Sequence, residues 1–273
     1  MYKIKMMLLF LILTANLSAE VNDKWKVNLG GMFVTNFDTR MQLGEKNIPL
    51  AIKLNTEDSL GMNSESSAFR FDGYYRFTET HSMNLSYFRA RSDGYKSIDE
   101  DIEWDGKIIS SGATVDSYFN MDVYKISYGY SFYHNEKIEL MLTAGLHITS
   151  LDFGLTADGT ITDSTTSSVA SFYNSSQDVT LPLPVFGFKG EYTIIDKSLF
   201  ISYKTDLFYI KYDVYKGSLL TSTINLEYHL MENVGVGIGY NTNEIYIKAD
   251  DGDKTFEVEN DLDGLMVYMS YIY

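Results

Sequence analysis

Histidines and closely spaced carboxylates are the residues of this sequence whose types and spacing could do chemistry. His147 and Thr149 stand two residues apart in an alternating stretch, so their side chains would share one face of a strand. A histidine beside a hydroxyl group is an arrangement in which a general base can activate a nucleophile. Ser150 falls on the opposite face, and no acidic residue can be placed where it would orient the histidine. We therefore expect His147 to be a hydrogen-bonded residue of a polar interior.

The other histidines and the acidic stretches give weaker signals. His81, His134 and His229 fall at predicted turns or strand ends, where a solvated polar side chain is expected. Asp99–Asp105 and Asp250–Asp263 carry oxygen atoms of the kind that bind divalent cations, but neither has the order of an EF-hand calcium loop. Both stretches are expected to be solvated loops. We predict no metal site, no cofactor and no catalytic residue.

Composition excludes several classes of function. The formal net charge is −15, from 22 basic and 37 acidic residues, and a surface so acidic does not suit the phosphates of nucleic acid. The sequence has no cysteine, which removes disulfides, thiolate zinc sites and cysteine nucleophiles.

The first residues predict a signal peptide. Lys3 and Lys5 precede the apolar run Met6–Leu13, and a small residue, Ala19, follows. The run is shorter than the roughly 20 apolar residues that a spanning helix needs. We expect cleavage after Ala19, so that residues 1–19 are a signal peptide and residues 20–273 form one exported domain.

Most of the exported domain alternates between apolar and polar residues, which is typical of β-strands. In 220–230 every odd position is polar and every even position except Ser222 is apolar. In 138–148 every even position is apolar. The chain is also rich in Tyr (22), Phe (16) and Gly (20). Together with export, these features predict an all-β fold, an antiparallel transmembrane β-barrel.

About ten strands are predicted, and counts of eight or twelve remain open. Their ranges are 25–43, 66–79, 81–94, 112–133, 137–156, 178–194, 197–214, 217–231, 233–249 and 255–273. Short and longer connections broadly alternate, as periplasmic turns and outer loops do in such barrels. An even count places both termini in the periplasm. Leu50–Asn55 could pair as an extra strand, and the Ser- and Thr-rich stretch 157–177 predicts a mobile surface loop.

Charged residues of both signs fall on the face opposite the apolar one. This lumen charge network consists of Arg70, Asp72, Arg76, Glu139, Lys189, Glu191, Lys204, Asp206 and Glu227. Because an unpaired buried charge is costly, mixed signs at matched depth indicate salt bridges that fill a narrow interior. The same residues could instead line a thin water-filled passage, and the sequence leaves both possibilities open.

The end of the chain resembles the assembly signal of bacterial outer-membrane proteins. The alternating residues that carry this resemblance are Val267, Met269, Tyr271 and the terminal Tyr273. Two internal stretches, Tyr74–Phe88 and Leu181–Ile194, resemble the small OmpW-like outer-membrane β-barrel class. The resemblance implies recognition by the barrel-assembly machinery and a monomer in contact with outer-membrane lipid and lipopolysaccharide.

The leading functional hypothesis is a non-enzymatic barrel that passes or binds small solutes or has a structural role in the envelope. Outer-membrane lipid A deacylases use a histidine and a serine at the spacing of His147 and Thr149, so a lipid-modifying enzyme centred on His147 is the alternative. A surface receptor or adhesin that acts through the acidic loops is a third possibility. Omptin-type proteases need an Asp–His pair as well as an Asp pair, and no Asp-x-His occurs in the sequence.

Overall fold

The computed structural model describes residues 23–45, 54–63, 66–163, 168–213, 215–250 and 254–273. The predicted signal peptide, residues 1–19, lies outside the described residues, as do positions 50–53 of the possible extra strand and the acidic positions 251–253. No helix in the described ranges is long and apolar enough to cross a membrane.

The described chain contains thirteen strands and one short helix. The strands are β1 Trp25–Glu45, β2 Leu54–Asn55, β3 Ser66–Arg76, β4 His81–Ser97, β5 Ile102–Trp104, β6 Lys107–Ile109, β7 Thr114–His134, β8 Ile138–Asp163, β9 Val169–Ile195, β10 Leu199–Tyr212, β11 Tyr215–Met231, β12 Val234–Asp250 and β13 Lys254–Ile272; the helix is α1 Thr56–Leu60.

Ten strands pair antiparallel in a closed ring, in the order β1-β3-β4-β7-β8-β9-β10-β11-β12-β13 and back to β1. The closing pair runs from Lys26 opposite Ile272 to Glu45 opposite Lys254. The all-β antiparallel class that the alternation predicts is therefore confirmed. The short strands β2, β5 and β6 lie off the ring, and the sequence did not predict β5 and β6.

The two ends of the ring differ. The turns at 77–80, 135–137, 196–198 and 232–233 lie at the same end of the ring as the start of β1 and the end of β13, and we call this the lower end. The opposite, upper end carries α1, β5 and β6, which follow the upper ends of β1 and β4.

Strands β8 and β9 continue through much of the stretch predicted as a loop. They pair as far as Thr162 opposite Val169, so the prediction of a mobile loop at 157–177 is wrong for the described part of that range. Ala157 and Ile161 are buried there. The Ser and Thr residues that resemble a loop in composition are also suited to strands, because β-branched threonine favours extended backbone.

The apolar side of the wall changes from outside to inside part-way up the ring. In the lower half, apolar residues such as Leu142, Ile238 and Val267 are exposed on the outer face. In the upper half the interior is a hydrophobic core that includes Phe119 and Leu262. The lower half is therefore polar inside, and the upper half is apolar inside.

A β-bulge in β1 marks this change. The register of β1 against β13 shifts between Val34 and Asn36. Phe33, just below the shift, is exposed, whereas Phe37 and Met41, just above it, are buried. All three positions are odd, so the extra residue of the bulge turns one apolar series from the outer face to the inner face.

Candidate functional site

The first ion-pair cluster joins β3 to β8 across the interior of the ring. The Arg76 guanidinium donates to the Glu139 carboxylate at 2.7 and 3.2 Å, and both side chains are buried. The Ser131 hydroxyl donates to the same carboxylate at 2.5 Å, and the Lys189 ammonium lies 3.8 Å from it. The Tyr74 ring contacts Lys189 at 4.9 Å. These contacts tie β3, β7, β8 and β9 together through one carboxylate.

The second cluster surrounds Glu227 on β11. Its carboxylate pairs with Lys26 of β1 at 2.8 Å and accepts hydrogen bonds from the Tyr268 and Ser270 hydroxyls at 3.0 and 2.9 Å. His229 lies 2.8 Å from the same carboxylate. This set spans β1, β13 and β11, and four neighbours satisfy one buried carboxylate.

Gly237 of β12 gives Tyr268 the space to reach Glu227. A Cβ atom at Gly237 would lie 2.1 Å from the tyrosine ring, so a larger residue would displace that ring. The inward-facing glycine thus accommodates a neighbouring side chain.

The third cluster joins β7 to β10 through Lys125 and Asp206, which are buried and in direct contact. The Thr221 hydroxyl donates to the same carboxylate at 3.3 Å. Lys204 and His147 line a small cavity beside this pair, of about 30 Å³. As in the first two clusters, the paired strands are not neighbours in the ring, so the contact crosses the interior.

His147 and Thr149 both lie inside the ring and are buried. Neither ring nitrogen of His147 has a hydrogen-bond partner among the described residues, and neither does the Thr149 hydroxyl. His147 therefore makes no hydrogen bond to a protein group among the described residues. Asp206, the carboxylate beside it, is occupied by Lys125, which explains why the histidine has no acidic partner.

Two of the other histidines, His134 and His229, depart from the solvated positions predicted for them. His229 is buried against Glu227, and His134 is half-buried at 3.4 Å from Glu139. His81 lies 2.5 Å from the Tyr128 hydroxyl. The turn positions were predicted well, but His134 ends β7 and His229 lies near the end of β11, where their rings reach buried carboxylates.

The structure places the nine predicted network residues in this interior. Arg70 pairs with Asp72 at 2.6 Å on β3, and Lys189 pairs with Glu191 at 3.2 Å on β9. Lys204 lines a second lower cavity, of about 100 Å³, together with Arg70, Asp72, Lys189, Glu191 and Glu227. The clusters described above contain the remaining three, Arg76, Glu139 and Asp206.

Sequence reasoning missed two members of the network, Lys26 and Lys125. Lys125 lies between the outward-facing Tyr124 and Ile126 on β7, and Lys26 precedes the outward-facing Val27 on β1. The alternation that identified the other charges could therefore have found both lysines.

The acidic stretches do not form a metal site in the part of the chain that the structure describes. Asp99 pairs with Lys96 at 3.1 Å, and the Asp101 carboxylate accepts the Ser111 backbone N–H at 2.8 Å. Residues 102–104 form β5, so the first stretch is partly ordered strand instead of a solvated loop. Much of the second stretch belongs to β13.

The upper interior holds a cavity of a different character. Its volume is about 210 Å³. Met41, Trp104, Phe119, Leu151, Phe153, Val179 and Val258 line it, with Gln177 and Asp178 as its polar members. The interior thus combines paired charges below with an apolar cavity above.

No family model and no curated protein matches this sequence. Among solved structures, the outer membrane protease OmpT from Escherichia coli aligns with a TM-score of 0.54 at 12% identity, covering 95% of this chain and 100% of that chain. This chain has the outer-membrane β-barrel fold.

Two further barrels align less well. The toluene transporter TodX of P. putida gives a TM-score of 0.35 at 9% identity, with 92% of this chain and 90% of that chain covered. The attachment invasion locus protein Ail of Yersinia pestis gives 0.27 at 12% identity, with 90% and 97% covered. Of these three scores, that of OmpT exceeds 0.5, and at 12% identity it describes only the fold of this chain.

Proposed function

We propose that this protein is a non-enzymatic barrel of the outer membrane whose closed interior binds a small solute. The observation that carries the proposal is the set of three ion-pair clusters that cross the lumen between non-neighbouring strands. An ion-selective pore typically has a ring of one charge sign. Here each positive group in a crossing pair contacts a carboxylate, which favours a crosslinked interior over an open passage.

The outer surface of the lower half supports placement in a membrane. Leu142, Leu226 and Ile238 are exposed on adjacent or nearby strands, and a lipid bilayer would cover such a band. The rings of Trp25 and Tyr273 contact each other at the lower rim, with centroids 5.8 Å apart and planes tilted by 37°, where interfacial aromatic residues are expected. We infer that the lower end faces the periplasm, with both termini there after removal of the signal peptide.

The last strand supports the proposed assembly route. Val267, Met269, Tyr271 and Tyr273 are all exposed on the outer face. The Tyr273 N–H donates to the Trp25 carbonyl at 2.9 Å, and the Trp25 N–H donates to the Tyr273 carbonyl at 2.8 Å. A strand that both closes the ring and presents alternating apolar residues suits recognition by the barrel-assembly machinery.

The enzymatic alternatives receive less support. His147 is buried inside the barrel beside Lys125 and Asp206, away from the outer face where a lipid substrate would lie. OmpT is named as a protease, but no Asp-x-His sequence is present here to supply the pair that omptin-type proteases use.

Conductance of the purified protein in planar lipid bilayers tests the proposal. We expect small and infrequent current steps, because paired charges and the apolar core occupy the interior. Large, steady and strongly ion-selective currents would show an open porin instead. Loss of an acyl chain from the lipid A of expressing cells would show an outer-leaflet enzyme.

A further inference from the structure

A small polar cavity lies where the polar lower interior meets the apolar upper core, and we call it the middle cavity. Its volume is about 30 Å³. Phe88 and Val123, two members of the hydrophobic core, line it. Its polar lining comes from β3, β4, β7, β8, β10, β11 and β12, and includes Lys125, His147 and Lys204. Side chains from most of the ring therefore converge on one small space.

Positive groups outnumber carboxylates in the lining of the middle cavity. The cations are Arg70, Lys125 and Lys204, and the carboxylate is Asp206. Arg70 already pairs with Asp72 at 2.6 Å. Lys125 and Lys204 both act on Asp206, which is in direct contact with Lys125. Two ammonium groups thus face one carboxylate, and the cavity carries an excess of positive charge.

Lys204 has no ion-pair partner within the part of the chain that the structure describes. The lysines of the lower cavity differ in this respect, because Lys26 pairs with Glu227 at 2.8 Å and Lys189 pairs with Glu191 at 3.2 Å. A charge that is removed from water is costly unless it is paired. A small anion from solution would give Lys204 the counterion that the protein itself does not supply.

His147 and Asn243 bring unpartnered hydrogen-bond donors to the same cavity. Their side chains are 3% and 1% exposed. Neither ring nitrogen of His147 and neither polar atom of the Asn243 amide has a hydrogen-bond partner in the described ranges. A neutral histidine has one N–H, and an asparagine amide has two. Because buried polar groups are nearly always hydrogen-bonded, these donors indicate a bound acceptor.

The size of the middle cavity limits what it can hold. Its volume of about 30 Å³ has room for roughly two water molecules. A halide ion or formate fits this space, whereas sulfate, phosphate and larger organic anions exceed it. The unpartnered acceptors in the lining, one oxygen each of Asp206, Asn241 and Asn243, need a donor. One water molecule beside a halide ion would provide it.

The lower cavity provides the route to this site. Arg70, Lys204 and Thr223 line both the middle cavity and the lower cavity of about 100 Å³, so the two spaces are adjacent. On the other side of the middle cavity, Phe88 and Val123 belong to the apolar core. An anion would therefore enter from the lower end, past charges that are already paired, and stop at Lys204.

We propose that the middle cavity binds one small monovalent anion against the Lys204 ammonium, with His147 and Asn243 as hydrogen-bond donors. This inference rests on the proposed function of a closed, solute-binding barrel and names the chemical class of its solute. The anion is an inorganic halide or a small organic carboxylate of the size of formate, which share a single negative charge and hydrogen-bond acceptors.

Thermal unfolding of the full-length protein in detergent measures binding, because a ligand that binds only the folded state stabilises it. Chloride or formate would replace gluconate at constant ionic strength, since gluconate is too large for the cavity. Loss of the folded gel mobility after heating gives the midpoint temperature. We expect this midpoint to rise and then saturate. A rise with chloride alone identifies a halide as the ligand, and a rise with formate alone identifies a carboxylate.

Lys204→Met tests the proposed contact. It removes the ammonium group and should raise the anion concentration for half-maximal effect at least about tenfold. In gluconate alone it should be no less stable than the wild type, because it also removes repulsion between Lys125 and Lys204. Lys211→Met is the matched control, since Lys211 is exposed on the same strand and does not line the cavity. It should leave the anion response unaltered.

Diffraction from crystals that contain bromide in place of chloride locates the site directly, because bromide scatters X-rays anomalously. We expect an anomalous peak in contact with Lys204 and His147 in the wild type and its loss in Lys204→Met. This measurement does not depend on the stability of the variants.

Two results would overturn the inference. One is a midpoint that does not respond to either anion, together with the lack of a bromide peak at Lys204, as expected if the cavity holds water alone. The other is a non-saturating rise that is equal in the wild type, Lys204→Met and Lys211→Met. Bilayer currents test the closed lumen separately, so a non-conducting barrel without an anion response would refute this inference alone.

Discussion

Arg76 and Glu139 meet across the interior through two hydrogen bonds of 2.7 and 3.2 Å, although β4 and β7 separate their strands in the ring. Removing one partner of a buried pair leaves an uncompensated charge. Arg76→Ala should therefore lower the free energy of unfolding by about 3–5 kcal/mol and increase bilayer conductance. Guanidinium unfolding in lipid vesicles measures the first effect.

A matched control is available in the Arg89–Asp122 pair, whose arginine side chain is 42% exposed, compared with 4% for Arg76. Arg89→Ala should cost no more than about 1 kcal/mol, because exposed ion pairs contribute little. Equal losses for Arg76→Ala and Arg89→Ala would show that the crossing pair does not hold the interior together.

The outer face of β12 should be sensitive to charge only within the lipid band. Ile238→Arg should destabilise by about 2–4 kcal/mol if the position lies near the bilayer midplane. Thr242 lies on the same face above Tyr240, outside the apolar band, so Thr242→Arg should cost clearly less. Refolding into vesicles compares the two variants, and similar costs would contradict the placement of the membrane.

The terminal aromatic residue should govern assembly. Tyr273→Asp removes a ring whose centroid lies 5.8 Å from that of Trp25 but keeps the backbone hydrogen bonds that close the barrel. We expect less folded barrel in the outer membrane, as measured by heat-modifiable gel mobility, and a normal yield for Tyr273→Phe. An unaltered yield for Tyr273→Asp would count against the assembly signal.

His147 should have no role in lipid chemistry. Because the ring is buried beside Lys125 and Asp206, cells that express His147→Ala and cells that express the wild type should give the same lipid A mass spectrum. An acyl chain that is lost with the wild type and retained with His147→Ala would establish the deacylase alternative.

Much of the wall could be predicted from the sequence, because alternation is a local property of each strand. Leu226 and Glu227 show the principle, with one side chain exposed and the next buried. The partners of the buried charges could not be predicted in the same way. Lys26 meets Glu227 only because β1, β13, β12 and β11 are neighbours with a particular stagger, which no local pattern contains.

The upper half was harder to predict for a related reason. Along β1, Leu29, Phe33, Phe37 and Met41 form one odd-numbered apolar series in the sequence. The bulge between Val34 and Asn36 assigns its two parts to opposite faces, and nothing in the spacing alone reveals the shift. The upper part of β9, which above Phe186 pairs with β8 but not with β10, did leave a signal, because Pro182 and Pro184 are unsuited to a strand paired on both sides.

The ten strands have a polar interior in their lower half and an apolar interior in their upper half. The apolar surface of the upper half is therefore buried away from water, whereas that of the lower half faces outward. Burying the upper core removes apolar surface from water, so its contribution should weaken on cooling and carry a large heat capacity. The lower half exchanges apolar surface with lipid or detergent instead. Changing the detergent should therefore alter mainly the stability of the lower half of the barrel, whereas cooling should weaken mainly that of the upper half.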